Sequence, residues 1–257
     1  MAKPYLSIII PAYNEAERIP KTLLDMDRRL SSASYSYEII VVNDGSKDNT
    51  AEVVTAMAKM VKNLELIDNK ENKGKGGAVK QGILAASGNI RLFTDSDLST
   101  SIDQFEKMMP FFQKKDDSAS GSISVGGGNY YDVVIGSRAI KGARLEPPEP
   151  LYRQFAGKGL NLIVQLLLLP GIWDTQCGFK AFTEEAAEKI FGISRITKWG
   201  FDVEALALAK RMGYRIKEIP VHWVDEPGST VHLSAGFEFL RDIIVIRWRL
   251  WTNGYTI

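Results

Sequence analysis

A chain of 257 residues with 45% apolar side chains has material for one large α/β domain, or at most two small ones, around a sizeable core. Its net charge of +1 supplies no bulk attraction to nucleic acid, so no nucleic-acid partner is expected. One cysteine and two histidines exclude an intramolecular disulfide, a cysteine zinc site and a histidine-rich metal site; any metal must be held by carboxylates, as a hard cation such as Mg²⁺ or Mn²⁺ is.

The chain opens Met1-Ala2-Lys3-Pro4 and runs directly into a strand pattern, without signal-peptide architecture. Residues 5–11 contain the β-branched run Ile8-Ile9-Ile10, as in a strand buried on both faces. Ile19, Leu23, Met26 and Leu30 then repeat at helical spacing, with Asn14 as the expected N-cap and Glu17 completing a capping box. Residues 38–43 read as a second strand. A helix from about Thr50 carries Val53, Val54, Met57, Met60 and Val61 on one face. A strand over 64–68, a helix over 76–86 and a strand over 90–94 follow. Strands separated by helices imply parallel pairing with right-handed crossovers, and in such sheets ligands bind beyond the carboxyl ends of the strands.

Farther on, residues 118–129 form a Ser/Gly-rich stretch that reads as a mobile surface loop without a chemical role. A strand is expected over 132–136, helices over 151–169 and 201–212, a strand over 215–223 with Pro220 marking an edge, and a final helix over 237–251. The longest apolar run, 160–169, contains Asn161 and Gln165 and stops at Pro170, short of the ~18 residues of a spanning helix. The chain is therefore expected to be soluble or peripheral to a membrane. It is expected to form a single domain over 1–257, with no dividing linker.

Polar residues cluster where strands end: Tyr13-Asn14-Glu15, Asn43-Asp44-Gly45 and Asp95-Ser96-Asp97. Two carboxylates one residue apart both reach a divalent ion if the backbone turns there, with phosphate oxygens completing its shell. Alone, such a triplet is more often a pair of solvated acids opening a turn. Its place after an apolar parallel strand shifts the balance towards a site. Asp44 is placed to accept a hydrogen bond from a base N–H, or simply to open a turn. Lys73-Gly74-Lys75-Gly76-Gly77 opens a helix, where amide groups and two lysines suit an anion. Neither the P-loop spacing nor a GxGxxG fingerprint is present. Arg138 ends one strand and Arg153 begins a helix; each is either a phosphate grip or a surface arginine.

These motifs, in this order, resemble family 2 glycosyltransferases. The resemblance rests on Pro11-Ala12-Tyr13-Asn14-Glu15, Val42-Asn43-Asp44-Gly45-Ser46, Asn72-Lys73-Gly74-Lys75-Gly76 and Asp95-Ser96-Asp97. The runs Ile135–Arg138, Asp174–Lys180 and Trp199–Glu204, with the ending Arg241–Arg247, are similar to the dolichyl-phosphate β-glucosyltransferase branch and its polyprenyl-phosphate relatives. The resemblance implies a GT-A fold: an α/β three-layer αβα sandwich with a mostly parallel central sheet. Residues 1–100 would form the nucleotide-sugar half and 130–257 the acceptor half. It implies that Pro11, Ala12, Tyr13, Glu15, Val42 and Asp44 line the nucleotide, with Lys75, Asp95 and Ser96 also on the donor. Asp95 and Asp97 would serve the metal. Arg138 and Arg153 would receive the acceptor phosphate.

Three positions depart from that pattern. Ser99 stands where relatives often carry a glutamine, and Gly228-Ser229-Thr230 where they carry Gly-Ser-Lys. The N-terminal membrane anchor carried by the eukaryotic branch is not expected in this chain. The implied reaction is an inverting transfer, glucose from UDP-glucose being favoured, to a polyprenyl or dolichyl phosphate. Asp97, Arg138 and Asp202 are the catalytic expectations. A hydroxyl acceptor would need a general base, for which Asp202 and Asp174 are candidates, although Asp202 serves equally as a helix cap. Transfer to a carbohydrate hydroxyl and non-catalytic binding of a sugar nucleotide are the alternatives. Phe237, Leu240, Ile244 and Trp248 share a face of the last helix, which is either core or a lipid contact. With a lipid acceptor, the expected place is the cytoplasmic face of a membrane, peripherally bound.

Overall fold

The computed structural model describes residues 3–113, 130–147, 151–225 and 234–256. The Ser/Gly-rich stretch 118–129 and the triplet Gly228-Ser229-Thr230 lie outside the described residues, as does the side chain of Arg153.

The first half alternates as the hydrophobic pattern requires: β1 (Leu6–Ala12), α1 (Ile19–Leu30), β2 (Tyr37–Asp44), α2 (Thr50–Met57), β3 (Leu64–Asn69), α3 (Lys75–Ala85) and β4 (Ile90–Thr94). Two 3₁₀ turns, Ile102–Lys107 and Met109–Phe111, come next. The second half holds β5 (Val133–Ser137), β6 (Arg144–Glu146), α4 (Leu151–Leu167), β7 (Phe179–Thr183), α5 (Glu184–Ile193), α6 (Phe201–Arg211), β8 (Ile216–Pro220), β9 (His222–Val224) and α7 (Ser234–Trp251).

Seven strands form one sheet in the order β3-β2-β1-β4-β7-β5-β8. The pairs β1–β2, β1–β4, β2–β3 and β5–β8 are parallel, while β7 runs antiparallel to both its neighbours. Alternate residues of each strand face opposite layers. Ile9, Ile40, Val42, Phe93, Val133 and Phe182 pack with α3, α5, α6 and α7. Ile8, Ile10, Ile39, Val41, Leu92 and Ala181 pack with α1 and α2 on the other side. The result is the expected three-layer sandwich with a mostly parallel centre.

Three local expectations need correction. Asn14 caps no helix: α1 begins at Ile19, with Pro20 in its first turn and no side-chain cap. The reason is that Asn14 occupies a left-handed conformation at φ 56°, and its side-chain oxygen accepts the Lys47 amide across the loop. The strand anticipated over 215–223 is two strands. β8 ends at Pro220 on the sheet edge, as that proline signals, whereas β9 pairs with β6 in a separate two-stranded ribbon. The strand β7 and helix α5 were not anticipated. Phe179-Lys180-Ala181-Phe182 interrupts its apolar alternation with a lysine, which the structure buries completely.

Close packing of α3 on the sheet depends on Gly82. A Cβ there would lie 2.5 Å from Ile9 Cγ2 and 2.9 Å from Val42 Cγ2. Gly82→Ala gains helix propensity but overpacks this contact, and is expected to lose about 1–2 kcal/mol of stability in denaturant unfolding.

Candidate functional site

The carboxyl ends of β1, β2 and β4 meet, as parallel pairing dictates, and their loops are tied by specific bonds. The Asn14 amide donates to Ser46 Oγ at 2.9 Å, and the Glu15 amide to Thr50 Oγ1 at 2.9 Å. Thr22 Oγ1 donates to the Ser96 carbonyl at 2.6 Å, joining α1 to the segment after β4. Pro11, Ala12 and Val42 are buried strand residues beneath this edge; Tyr13, 40% exposed, stands above it. Glu15 does not project freely: Arg18 grips its carboxylate at 2.5 and 2.7 Å.

Asp44 is a clamp as well as a candidate base contact. Its two oxygens accept the amides of Lys73 at 2.8 Å and Gly74 at 2.9 Å, although burial still pushes its carboxyl above the ordinary value. Gly74, at φ +87°, passes so near the Thr197 carbonyl that a Cβ would meet its oxygen at 2.5 Å. The Gly77 amide donates to that same carbonyl at 3.1 Å. The amides of Lys73, Gly74 and Gly77 are thus engaged within the protein, and the anion-binding capacity read from this motif falls chiefly to the Lys75 ammonium.

That ammonium lies 2.6 Å from Asp95 Oδ1. Burial pulls the Lys75 pKa down, but Asp95, Asp202 and Asp97 outweigh it and hold it above its ordinary value. After Asp95 the backbone turns through Leu98 at φ +62°, a conformation that side-chain-bearing residues adopt at a cost. The turn folds Ser99 back so that its amide donates to Asp97 Oδ1 at 3.0 Å. Its carbonyl accepts the Val224 amide at 2.9 Å, linking the aspartate loop to β9. Asp95 and Asp97 are hard oxygen donors, and among the described residues no group of three acidic, histidine or cysteine side chains gathers to hold a metal. Two carboxylates with the remaining positions left to phosphate and water fit Mg²⁺ or Mn²⁺.

Asp202 lies in the first turn of α6, whose N-cap position is Gly200, so it caps nothing. Its carboxylate accepts Lys180 Nζ at 2.7 Å, and the same ammonium donates to the Cys177 carbonyl at 2.5 Å. Burial raises the Asp202 carboxyl, opposed by Lys180 and Lys75. Asp202, Lys180, Lys75, Asp95 and Asp97 therefore form one charge network at the sheet edge.

Across the sheet, Asp174 holds Arg138 in a two-pronged pair, Nε at 2.8 Å and Nη2 at 3.0 Å, and also accepts its backbone amide at 2.9 Å. The Gln176 and Cys177 amides donate to Asp174 as well. The guanidinium lies over the Trp223 ring, 5.4 Å from its centroid. Burial alone would raise the Asp174 carboxyl, but Arg138 outweighs it and holds it below the usual range. A carboxylate so satisfied is a poor proton acceptor; Asp174 positions Arg138.

A scan against family models matches residues 7–191 to Glycosyl transferase family 2. The chain belongs to that family. It is 38% identical over 254 residues to a dolichyl-phosphate β-glucosyltransferase of Dictyostelium discoideum, covering 95% of this chain and 74% of that protein. The human dolichyl-phosphate β-glucosyltransferase is 32% identical over 263 residues, covering 98% and 78%. A mannosyltransferase from Pyrobaculum calidifontis, solved in complex with GDP-Man and Mn²⁺, superposes with a TM-score of 0.62 at 21% identity, over 97% of this chain and 65% of that one.

Within this family 2 chain, two residues carried no role in the sequence reading. Lys180 is the buried partner of Asp202. Gly178 makes room for Asp95, because a Cβ at that position would lie 2.0 Å from Asp95 Oδ2. The signals were present: a lysine inside an apolar strand, and a glycine directly before it. The lone Cys177 is fully buried, and its thiol is pushed up to about 12, chiefly by burial.

Arg138→Met is expected to cost about 2–3 kcal/mol at pH 7, since it leaves Asp174 buried without its cation. A depressed carboxyl stabilises the fold above its unfolded pKa of ~3.9 and loses that contribution as pH falls through the folded value. The stability gap between the two proteins should therefore narrow below about pH 4, as followed by urea unfolding across pH. Gly178→Ala should fold, yet lose most transferase activity, because the displaced group is the Asp95 carboxylate; melting temperature and turnover, measured together, check this.

Proposed function

We propose that this chain transfers glucose from UDP-glucose to a dolichyl or polyprenyl phosphate, with inversion at the anomeric carbon. The observation that carries the proposal is the convergence of Asp95, Asp97, Lys75 and Asp202 at the carboxyl edge of the sheet, in a chain whose relatives are named dolichyl-phosphate β-glucosyltransferases.

In this reading Pro11, Ala12, Tyr13, Glu15, Val42 and Asp44 border the nucleotide, and Ser96 contacts it. Asp95 and Asp97 hold Mg²⁺ or Mn²⁺, which supplies counter-charge to the departing diphosphate. Lys75 adds a second positive charge to that leaving group. Arg138, held in orientation by Asp174, receives the acceptor phosphate, with Arg153 from the start of α4 as its companion. A phosphate monoester has a second pKa near ~6 and is largely ionised at pH 7, so it needs placement rather than a base. Asp202 then serves as a fixed counter-charge between Lys180 and Lys75. One observation favours a second reading, transfer to a carbohydrate hydroxyl: burial raises the Asp202 carboxyl, as suits a general base.

Asp97→Asn should reduce metal-dependent glycolipid formation at least ~100-fold while leaving the fold intact. Near-normal turnover would sink the metal assignment. A donor screen with polyprenyl phosphate as acceptor tests the sugar and nucleotide. A pH–rate profile that loses its acidic limb in Asp202→Asn would favour the hydroxyl acceptor.

The reading extends to a lipid surface. No helix among the described residues is long and apolar enough to cross a membrane. The core-facing stripe of α7 is Phe239, Ile243 and Ile246, whereas Phe237, Ile244, Trp248 and Trp251 are exposed by 59–80%. Leu162 and Leu166 of α4 are also exposed, and Leu167 lines a shallow groove with Ile244, Arg247, Trp248 and Trp251. Indoles beside an arginine on an unburied apolar face suit the interface of an anionic bilayer. The chain is accordingly proposed to act peripherally at the cytoplasmic face of a membrane. Ile244→Glu combined with Trp248→Glu should weaken sedimentation with anionic vesicles by about tenfold or more, with secondary structure unchanged.

A further inference from the structure

Asp95 is held from two sides. One oxygen lies against Gly178, where even a methyl group would not fit, and the other is 2.6 Å from the Lys75 ammonium. Gly178 directly precedes β7, whose Phe179 pairs with Thr94, so the backbone on that side is fixed by the sheet. The Asp95 carboxylate, 28% exposed, cannot withdraw towards β7. On the other side, the backbone before Lys75 is fixed by the Asp44 clamp and by Gly74, but the lysine side chain is long, carries its charge at its tip, and is 29% exposed. Both side chains are exposed to a similar degree, but Lys75, with the longer and more flexible chain, is the more movable member of the pair.

The charges around it are nearly balanced. Asp95, Asp97 and Asp202 face Lys75 and Lys180, so three carboxylates against two ammonium groups leave one net negative charge. Asp97 already accepts the Ser99 amide, and no third acidic, histidine or cysteine ligand joins the pair among the described residues. A free divalent ion arriving at this edge would have to displace an ammonium group and would gain only two protein carboxylates. A nucleoside diphosphate changes both conditions, because it offers oxygen ligands to the ion and a new anionic partner to the lysine.

We propose that Lys75 is a resident counter-cation of the metal pair: it competes with the divalent ion for Asp95, and moves onto the diphosphate when nucleotide and metal enter together. The site therefore takes up metal as a complex with its nucleotide and binds the bare ion poorly. By linkage, nucleotide and metal each strengthen the binding of the other, and part of that coupling resides in Lys75. This rests on the assignment of Asp95 and Asp97 as the metal pair.

The test is Mn²⁺ binding to the full chain, followed by the electron paramagnetic resonance signal of free Mn²⁺, with and without UDP, counting as UDP-linked uptake only the loss of signal beyond that caused by the same UDP without protein. The wild-type protein should bind Mn²⁺ alone weakly and bind it much more tightly with UDP. Lys75→Met should bind Mn²⁺ alone about tenfold more tightly than wild type, since it removes a like charge beside the ion, and should show a smaller gain from UDP. Lys75→Gln should behave as Lys75→Met does, and Lys75→Arg as wild type. Unchanged or weaker binding of Mn²⁺ alone in both neutral variants overturns the proposal. Asp97→Asn in the same assay separates the two levels. If it leaves UDP-linked Mn²⁺ uptake intact, the metal assignment itself is wrong and the role of Lys75 falls with it.

Discussion

Two carboxylates projecting from the end of one buried strand repel each other and are partly stripped of water, so an arrangement like Asp95 and Asp97 persists only beside positive charge. In this chain Lys75 supplies it at 2.6 Å. Much of the surrounding structure keeps that contact in place. Asp44 fastens the residues before Lys75, Thr197 receives the Gly77 amide, Gly178 fixes the far side of Asp95, and Lys180 neutralises Asp202 close by. The site is thus a nearly balanced set of buried and half-buried charges, held in place from several elements at once.

The antiparallel strand β7 makes this possible. In a parallel α/β sheet, functional residues follow strands, because only carboxyl ends reach the binding edge. Reversing one strand lets the residues before it reach that edge. Asp174, Cys177 and Gly178 all precede β7, and Lys180 is its second residue. One reversed strand therefore brings in the positioning group for Arg138, the space for Asp95 and the counter-charge for Asp202. Its central place between β4 and β5 joins the half of the sheet that carries the Asp95–Asp97 pair to the half that carries Arg138.

The first half of the fold was legible because its strands are continuous apolar runs and its helices repeat at a clear period: Ile90–Thr94 is found with the bounds read from the sequence. The convergence of three strand ends was legible for the same reason, since parallel connectivity leaves little choice. What escaped is what depends on partners distant in sequence. Asn14 has the chemistry of a helix cap, but its oxygen is claimed by Lys47, 33 residues away. The glycine-rich start of α3 looks like a free anion cradle, yet Asp44 and Thr197 have taken three of its amides. Lys180 reads as a break in a strand until Asp202, 22 residues on, supplies the reason to bury it. Local pattern names the residue types a site needs; long-range pairing decides which of them are already spent.

The same distinction governs α7. Its period places two apolar stripes on one helix, and sequence cannot say which one packs. Phe239, Ile243 and Ile246 enter the core, which leaves Phe237, Ile244, Trp248 and Trp251 outside. The helix is also not independent of the carboxyl edge of the sheet. Beyond its end, Tyr255 donates to Glu204 at 2.6 Å, and Glu204, wholly buried in α6, accepts the amides of Arg195 and Ile196. Those amides begin the loop whose Thr197 carbonyl receives Gly77 at the start of α3. Midway along the helix, Asp242 packs against Gly200, two residues before Asp202. The exposed apolar face of α7 and the loop that holds the start of α3, where Lys75 sits, are therefore braced by one buried carboxylate, so whatever holds α7 also bears on the geometry at Asp95.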